Sequence, residues 1–148
     1  TDIPQSIQEL QEKYGVLIKQ IEEVERKEAM KVKEVLKSKI EVINGINVIC
    51  QVVPIENSQL IKDICFQLKS EISDLFLVLG AKVGGKANLT IMISDNLVKE
   101  KNLHAGNIIR SAAKAIQGGG GGQPFYATAG GSNPEGLPEA FQIAKSSL

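Results

Sequence analysis

The chain has 148 residues, 43% of them apolar and 23% charged, with 17 Lys and Arg against 17 Asp and Glu. That balance excludes a disordered chain, which would be poorer in apolar residues and further from neutrality. No apolar run approaches the roughly 18 residues that span a bilayer, so a membrane partner is not expected. Two cysteines are too few for a disulfide-dense scaffold, and a reducing cytoplasm is the expected location. Zero net charge gives no global sign of nucleic acid. The chain opens Thr-Asp rather than on Met, as an excised piece of a longer protein would.

Neutrality is a cancellation between segments. Residues 1–25 carry six acidic and two basic side chains, whereas residues 26–40 carry two acidic and six basic. The remainder is close to balanced, with a net of −2 over residues 41–72 and +2 over residues 73–148. Glycine is sorted as well, since twelve of the 14 lie between Gly80 and Gly136.

Residues 1–40 read as one long helix, with Pro4 in its first turn. Ile3, Ile7, Leu10, Tyr14, Leu17, Ile21 and Val24 repeat with steps of 4 and 3, the seam of a coiled coil. The register is lost at Glu28 and Lys31 and resumes on a shifted stripe at Ala29, Val32, Leu36 and Ile40. A shifted stripe fits a stutter, or a helix that changes partner from another helix to its own globule. One reading packs the whole helix on its own domain. The other makes the seam a homodimer contact, which the opposite charges of the two ends would suit in an antiparallel pair.

Residues 41–148 read as an α+β globule. Asn47–Pro54 is a buried strand following a turn at Gly45. A helix capped by Asn57 or Ser58 runs to about Ser70. Leu75–Ala81 and Ala87–Ile93 are strands joined through Gly84-Gly85, a hairpin signal. A short helix or turn starts at Asp95 or Asn96, and His104–Ile116 is helical. The run Gly118–Gly122 is a loop, Gln123–Ala129 is extended, and Leu137–Ser147 is a last helix. The expected whole is a long N-terminal helix over residues 1–40 and a mixed sheet flanked by helices over residues 41–148.

Catalytic signals are weak. Cys50 and Cys65 sit on apolar patterns and lack a CxxC partner, and His104 is the single histidine, so a zinc set cannot be completed. Both thiols read as buried and structural. Asp74, Asp95, Glu100, Glu135 and Glu139 are scattered at element ends and suit caps and solvated positions. Gly118–Gly122 is the feature that demands a reason, because five ordered glycines are entropically costly. They would let a backbone approach a phosphate closely, although no Walker Lys-Ser/Thr follows and no strand precedes. A flexible linker is the plain alternative. Lys82, Lys86, His104, Arg110 and Lys114 would supply a positive rim, and Phe125 or Tyr126 could stack on a base.

The stretch Gly118–Gly131, GGGGGQPFYATAGG, resembles the glycine-rich motif of the DHHA1 domain. Together with the small-residue helix HAGNIIRSAAKAIQ before it and the short helix after it, it is similar to the C-terminal domain of alanyl-tRNA synthetases. The lead-in VGGKANLTIMISDNLVKEKNLHAGNIIR fits the same pattern. The resemblance covers residues 45–148, and the N-terminal helix matches by position only. It implies a module that holds the outer corner of tRNA(Ala), joins the aminoacylation and editing domains, and takes part in dimer formation. The implied contact elements are Gly118, Gly119, Gly120, Gly121, Gly122, Gln123 and Pro124. No catalysis and no cofactor is implied for this segment; the parent ligase would use ATP, Mg and Zn. The same domain ends the DHH phosphoesterases, where a His commonly follows the glycines; Gln123 stands there here, and no Asp-His-His cluster is present. A bulky residue at Gly120 is expected to weaken RNA binding and leave folding intact.

Overall fold

A computed structural model describes the backbone of residues 3–55 and 57–146, and the side-chain surroundings of those from residue 9 onward except Ser58. The seam positions Ile3 and Ile7 are helical, but their side chains fall outside the described residues, as does Ser147. The elements in chain order are α1 (Ile3–Ser38), β1 (Glu41–Ile43), β2 (Ile46–Val52), α2 (Ser58–Glu71), β3 (Leu75–Val83) and β4 (Lys86–Ile93). There follow α3 (Asp95–Glu100), α4 (Ala105–Ala113), a 3-10 turn (Lys114–Ile116), β5 (Gly118–Gly122) and β6 (Tyr126–Gly131). A second 3-10 turn (Pro134–Gly136) leads into α5 (Leu137–Lys145). The six strands form one mixed sheet in the order β1-β2-β3-β4-β6-β5.

Local chemistry explains most of these elements. Asn44 and Gly45 both have positive φ (52° and 80°), the geometry of a tight hairpin turn, and they join β1 to β2. β1 is a short, largely exposed strand that the sequence pattern does not reveal. The Asn57 side chain accepts from the backbone N–H of Gln59 (3.0 Å) and Leu60, which caps α2 as expected. α2 is the crossover that makes β2 and β3 parallel, whereas β3 and β4 form the antiparallel hairpin through Gly84-Gly85. Leu75–Leu79 and Ile91–Ile93 lie at the centre of the sheet and are buried on both faces, hence their unbroken apolar runs.

Two cores flank the sheet. On one face α4 and α5 pack Ile108, Ile109, Ala112, Leu137 and Phe141 against Phe76, Val78, Leu89 and Ile91. On the other, α2 and the end of α1 pack Ile61, Leu68, Ala29 and Leu36 against Ile49, Leu77 and Leu79. The shifted stripe of α1 is therefore its docking face. Lys33 is buried beside that stripe and donates to Gln67 Oε1 (3.1 Å) and to Glu71 Oε1 (2.9 Å). Lys37 binds the other oxygen, Glu71 Oε2, at 2.9 Å. These lysines hold the Glu71 carboxyl below its usual range, and Glu71 raises Lys37 in turn.

From Leu10 to Val24 the apolar seam is left uncovered by the described residues. Leu10, Tyr14, Leu17, Ile21 and Val24 are each more than half exposed. The reading in which the seam packs on its own domain is thus corrected for these positions. The stripe moves by one residue, about 100° around the helix, at the point where the globule begins to cover it.

The glycine run is also corrected: it is a strand, not a loop. Gly118–Gly122 pairs antiparallel with β6, from Gly118 opposite Gly131 to Gly122 opposite Ala127. The chain enters it through Gln117, whose φ of 55° turns the 3-10 segment into the sheet. None of the five glycines has a positive φ. Their reason is steric and alternates. A Cβ on Gly118, Gly120 or Gly122 would lie 2.5 Å from Gly131 Cα, Ala129 Cα or Tyr126 O of the neighbouring strand. A Cβ on Gly119 meets nothing within 4 Å, and one on Gly121 meets only Arg110, at 3.6 Å from Nε.

Two predictions follow this packing. Gly120→Ala should destabilise the fold by about 1–3 kcal/mol, the range for overpacking, which replaces the expectation that a change there spares folding. Gly119→Ala should be neutral or stabilising by up to about 1 kcal/mol, and equilibrium unfolding of both variants checks the alternation. For the α1–α2 junction, a carboxyl held low in the folded state stabilises above its unfolded pKa and loses that contribution as pH falls through its folded pKa. Thermal unfolding should therefore show Glu71→Gln less stable than the parent at neutral pH, with the gap closing in acid.

Candidate functional site

β5 is the last strand of the sheet, so its outer side carries main-chain N–H and C=O groups with no strand beyond them. Proteins usually shield such an edge with charged side chains, proline or a bulge. Here Gly118, Gly119, Gly120 and Gly122 are exposed and have no side chain to shield anything. The edge is bare backbone.

α4 fixes this edge from one face. Gly106 allows the close approach, because a Cβ there would lie 2.8 Å from Gly122 O. The Ala105 N–H donates to Pro124 O at 2.8 Å, and the Gln123 N–H donates to Tyr126 O at 2.8 Å, closing the turn between β5 and β6. His104 Nδ1 accepts from the Asn107 N–H at 3.2 Å and caps α4. This hydrogen bond holds the ring against the first turn of α4.

The five expected basic positions do not gather into one rim. Arg110, on the exposed side of α4, lies over Gly121, and Lys114 opens the turn that feeds β5. Lys86 shares a cleft with Gly130, Gly131 and Ser132, at the end of the neighbouring strand. Lys82 stands on β3 in the same transverse row as Gly118, through Ala87 and Gly131, but three strands away. At about 4.8 Å per strand that is roughly 14 Å. Lys82 instead lines a cleft with Glu25 and Glu28 of α1.

The structure adds residues that sequence reasoning missed. α2 covers only part of its face of the sheet. Beyond it, the row Thr90, Thr128, Gly121 and the row Asn88, Gly130, Gly119 form a floor of small and polar groups. A cleft of about 250 Å³ lies there between Gln59, Ile61 and Lys62 of α2 and Asn88, Thr90, Tyr126 and Thr128 of the sheet. The signal was present in Ala87–Ile93, where Asn88 and Thr90 interrupt an apolar strand at spacing two, the mark of a face that is not core.

The thiols lie away from this edge. Burial pushes Cys50 up to about 11 and Cys65 up to about 12. Both are protonated at neutral pH, which suits packing and not nucleophilic attack. Among the described residues, no group of three or more His, Cys, Asp and Glu gathers as a metal site would require, and no helix is long and apolar enough to cross a membrane.

Comparison with known proteins bears on the whole arrangement. Residues 45–148 match the DHHA1 domain family. The chain is 49% identical over 145 residues to an alanine–tRNA ligase of Christiangramia forsetii, covering 98% of this chain and 16% of that protein. It is 42% identical over 145 residues to an alanine–tRNA ligase of Cytophaga hutchinsonii, with the same coverage. It thus spans about one sixth of these relatives. The fold matches the C-Ala domain of Aquifex aeolicus alanyl-tRNA synthetase with a TM-score of 0.67 at 24% identity, over 74% of this chain and 97% of that one. The glycine strand, its capping helix and the sheet that carries them lie within the matched segment, and this chain belongs to the DHHA1 domain family.

Proposed function

We propose that this chain is the C-terminal module of an alanine–tRNA ligase and that it grips tRNA(Ala) through the β5 edge. The observation that carries the reading is the bare edge itself. Backbone N–H groups are established phosphate donors in protein–nucleic acid contacts. A strand without side chains brings those donors closer to a phosphate than any other sequence could. Arg110 and Lys114 stand beside it to neutralise charge, and Lys86 stands at the end of β6. Gln123 and Pro124 form the adjacent turn.

Two features of the relatives support the ligase over a phosphoesterase. The match at 49% identity runs through the N-terminal helix as well as the globule. The position after the glycines, where DHH phosphoesterases commonly place a histidine, holds Gln123. On this reading ATP, Mg and Zn serve other parts of the ligase, and this segment couples aminoacylation to editing without chemistry of its own. A mild charge surplus suits a modest grip, with Kd in the micromolar range or weaker at physiological salt, as for sequence-independent contacts.

The exposed seam of α1 is the proposed dimer contact. Five large apolar or aromatic side chains in coiled-coil register face solvent. Removing residues 1–40 would be a poor test, because Ala29 and Leu36 belong to the core. Leu17→Glu combined with Ile21→Glu leaves the docked part of the helix intact. Sedimentation should show the parent chain as a dimer and this double variant as a monomer; an unchanged mass would remove the seam from the interface.

For the RNA grip, filter binding should show affinity for tRNA falling steeply with salt. Arg110→Ala and Lys114→Ala should each lower the salt slope by about 1. Gly119→Asp, which meets no steric obstacle, should weaken binding by placing a negative charge beside the phosphates. Binding that is absent, or indifferent to salt, would overturn the reading.

A further inference from the structure

The cleft between α2 and the open half of the sheet presents three kinds of contact at once. Its aromatic wall is Tyr126, half-buried, with Phe66 beside it at a ring-centroid distance of 5.6 Å and an interplanar angle of 38°. Phe66 is 41% exposed, unusual for an aromatic ring on a helix that otherwise faces a core. Its floor is polar: Asn88 offers an amide, and Thr90 and Thr128 offer hydroxyls. Its charge is Lys62, whose ammonium lies 6.0 Å from the centroids of both the Phe66 and Tyr126 rings.

We infer that this cleft binds one unstacked base of a single-stranded RNA segment. Tyr126 and Phe66 supply the stacking surface, Asn88, Thr90 and Thr128 read the base edge, and Lys62 meets the flanking phosphate. Aromatic rings beside a lysine are the recurring equipment of single-strand binding. The volume, about 250 Å³, lies just below the roughly 300–1,000 Å³ of small-molecule sites, which favours a single base over a larger ligand. Among the described residues no carboxylate lines the cleft, which gives neither a metal ion nor a basic peptide a counter-charge from them. The polar floor equally disfavours an apolar side chain.

The position relative to β5 ties the two surfaces together. Thr90, Thr128 and Gly121 occupy one transverse row across β4, β6 and β5. A strand whose phosphates follow the β5 edge could therefore turn a base inward over Thr128 towards Tyr126. The inference rests on the RNA reading of that edge and names the part of the nucleic acid that the edge alone does not hold.

The chain has two tyrosines and no tryptophan. Tyr14→Phe, at an exposed seam position far along α1, leaves Tyr126 as the single fluorophore. Titration of this variant with a single-stranded RNA trinucleotide should quench Tyr126 emission saturably, because a stacked base quenches the ring. Adding Thr128→Val, at an exposed site where folding is not at risk, should weaken that titration about three- to tenfold, the value of one hydrogen bond. Tyr126→Leu in the full chain should weaken tRNA binding about tenfold.

The outcomes separate the two claims. Saturable quenching without tRNA binding would keep the cleft and overturn the tRNA grip. Binding of tRNA with Tyr126 emission unchanged by the trinucleotide, and unaffected by Tyr126→Leu, would overturn the cleft and keep the grip. Quenching that ignores Thr128→Val would remove base-edge reading from the floor and overturn the site as stated.

Discussion

β5 lies beside β6 and beneath α4 because positions 118, 120 and 122 have no side chains. Any Cβ there would meet the neighbouring backbone at 2.5 Å or less. The close approach fixes much else. It lets Ala105 and Gln123 bond into the β5–β6 turn, it seats α4 against β5 and β6, and it aligns Gly121 with Thr128 and Thr90. The glycines between them carry no such obligation. Gly119 is open to solvent and Gly121 faces only Arg110. The run thus divides into alternate residues that hold the strand in place and residues that leave its surface uncovered.

α1 divides in the same manner along its length. From Ala29 onward it is part of the globule, clamped by Leu36 in the core and by Lys33 and Lys37 on Glu71. A fully buried leucine contributes about 1.5–3 kcal/mol, enough to hold a helix end firmly. Before Glu28 the helix projects with its apolar seam uncovered. The proposed dimer contact and the proposed RNA contact therefore lie on separate parts of the molecule, and each can be altered without disturbing the other.

Much of this was legible in the sequence where a local signal and the final packing agree. Asn57 caps α2 as its side chain predicts, and the glycine pair 84–85 makes the expected hairpin. The loss of heptad register at Glu28 marked the point where α1 changes partner. The glycine run reads as a loop because conformational freedom is the usual reason for glycine, whereas here the reason is proximity to a strand that follows it in the chain. Such a contact leaves no periodic trace. Sequence alone suggests one positive rim from Lys82, Lys86, His104, Arg110 and Lys114, but strand order decides adjacency, and β3, which carries Lys82, is three places from β5. The cleft beneath α2 was hidden because it joins α2 to β4 and β6, elements distant in sequence.

The central claim is that RNA meets the bare β5 edge, and the glycine amides themselves can report it. In a chain labelled with 15N-glycine alone, addition of tRNA(Ala) should move the amide resonances of Gly118 and Gly120 strongly, because the register that pairs Gln123 N–H with Tyr126 O turns their N–H groups away from β6, while Gly15 and Gly45, which lie outside the edge, stay in place. Shifts that spare the five glycines of β5, or that spread evenly over all 14, would contradict the account.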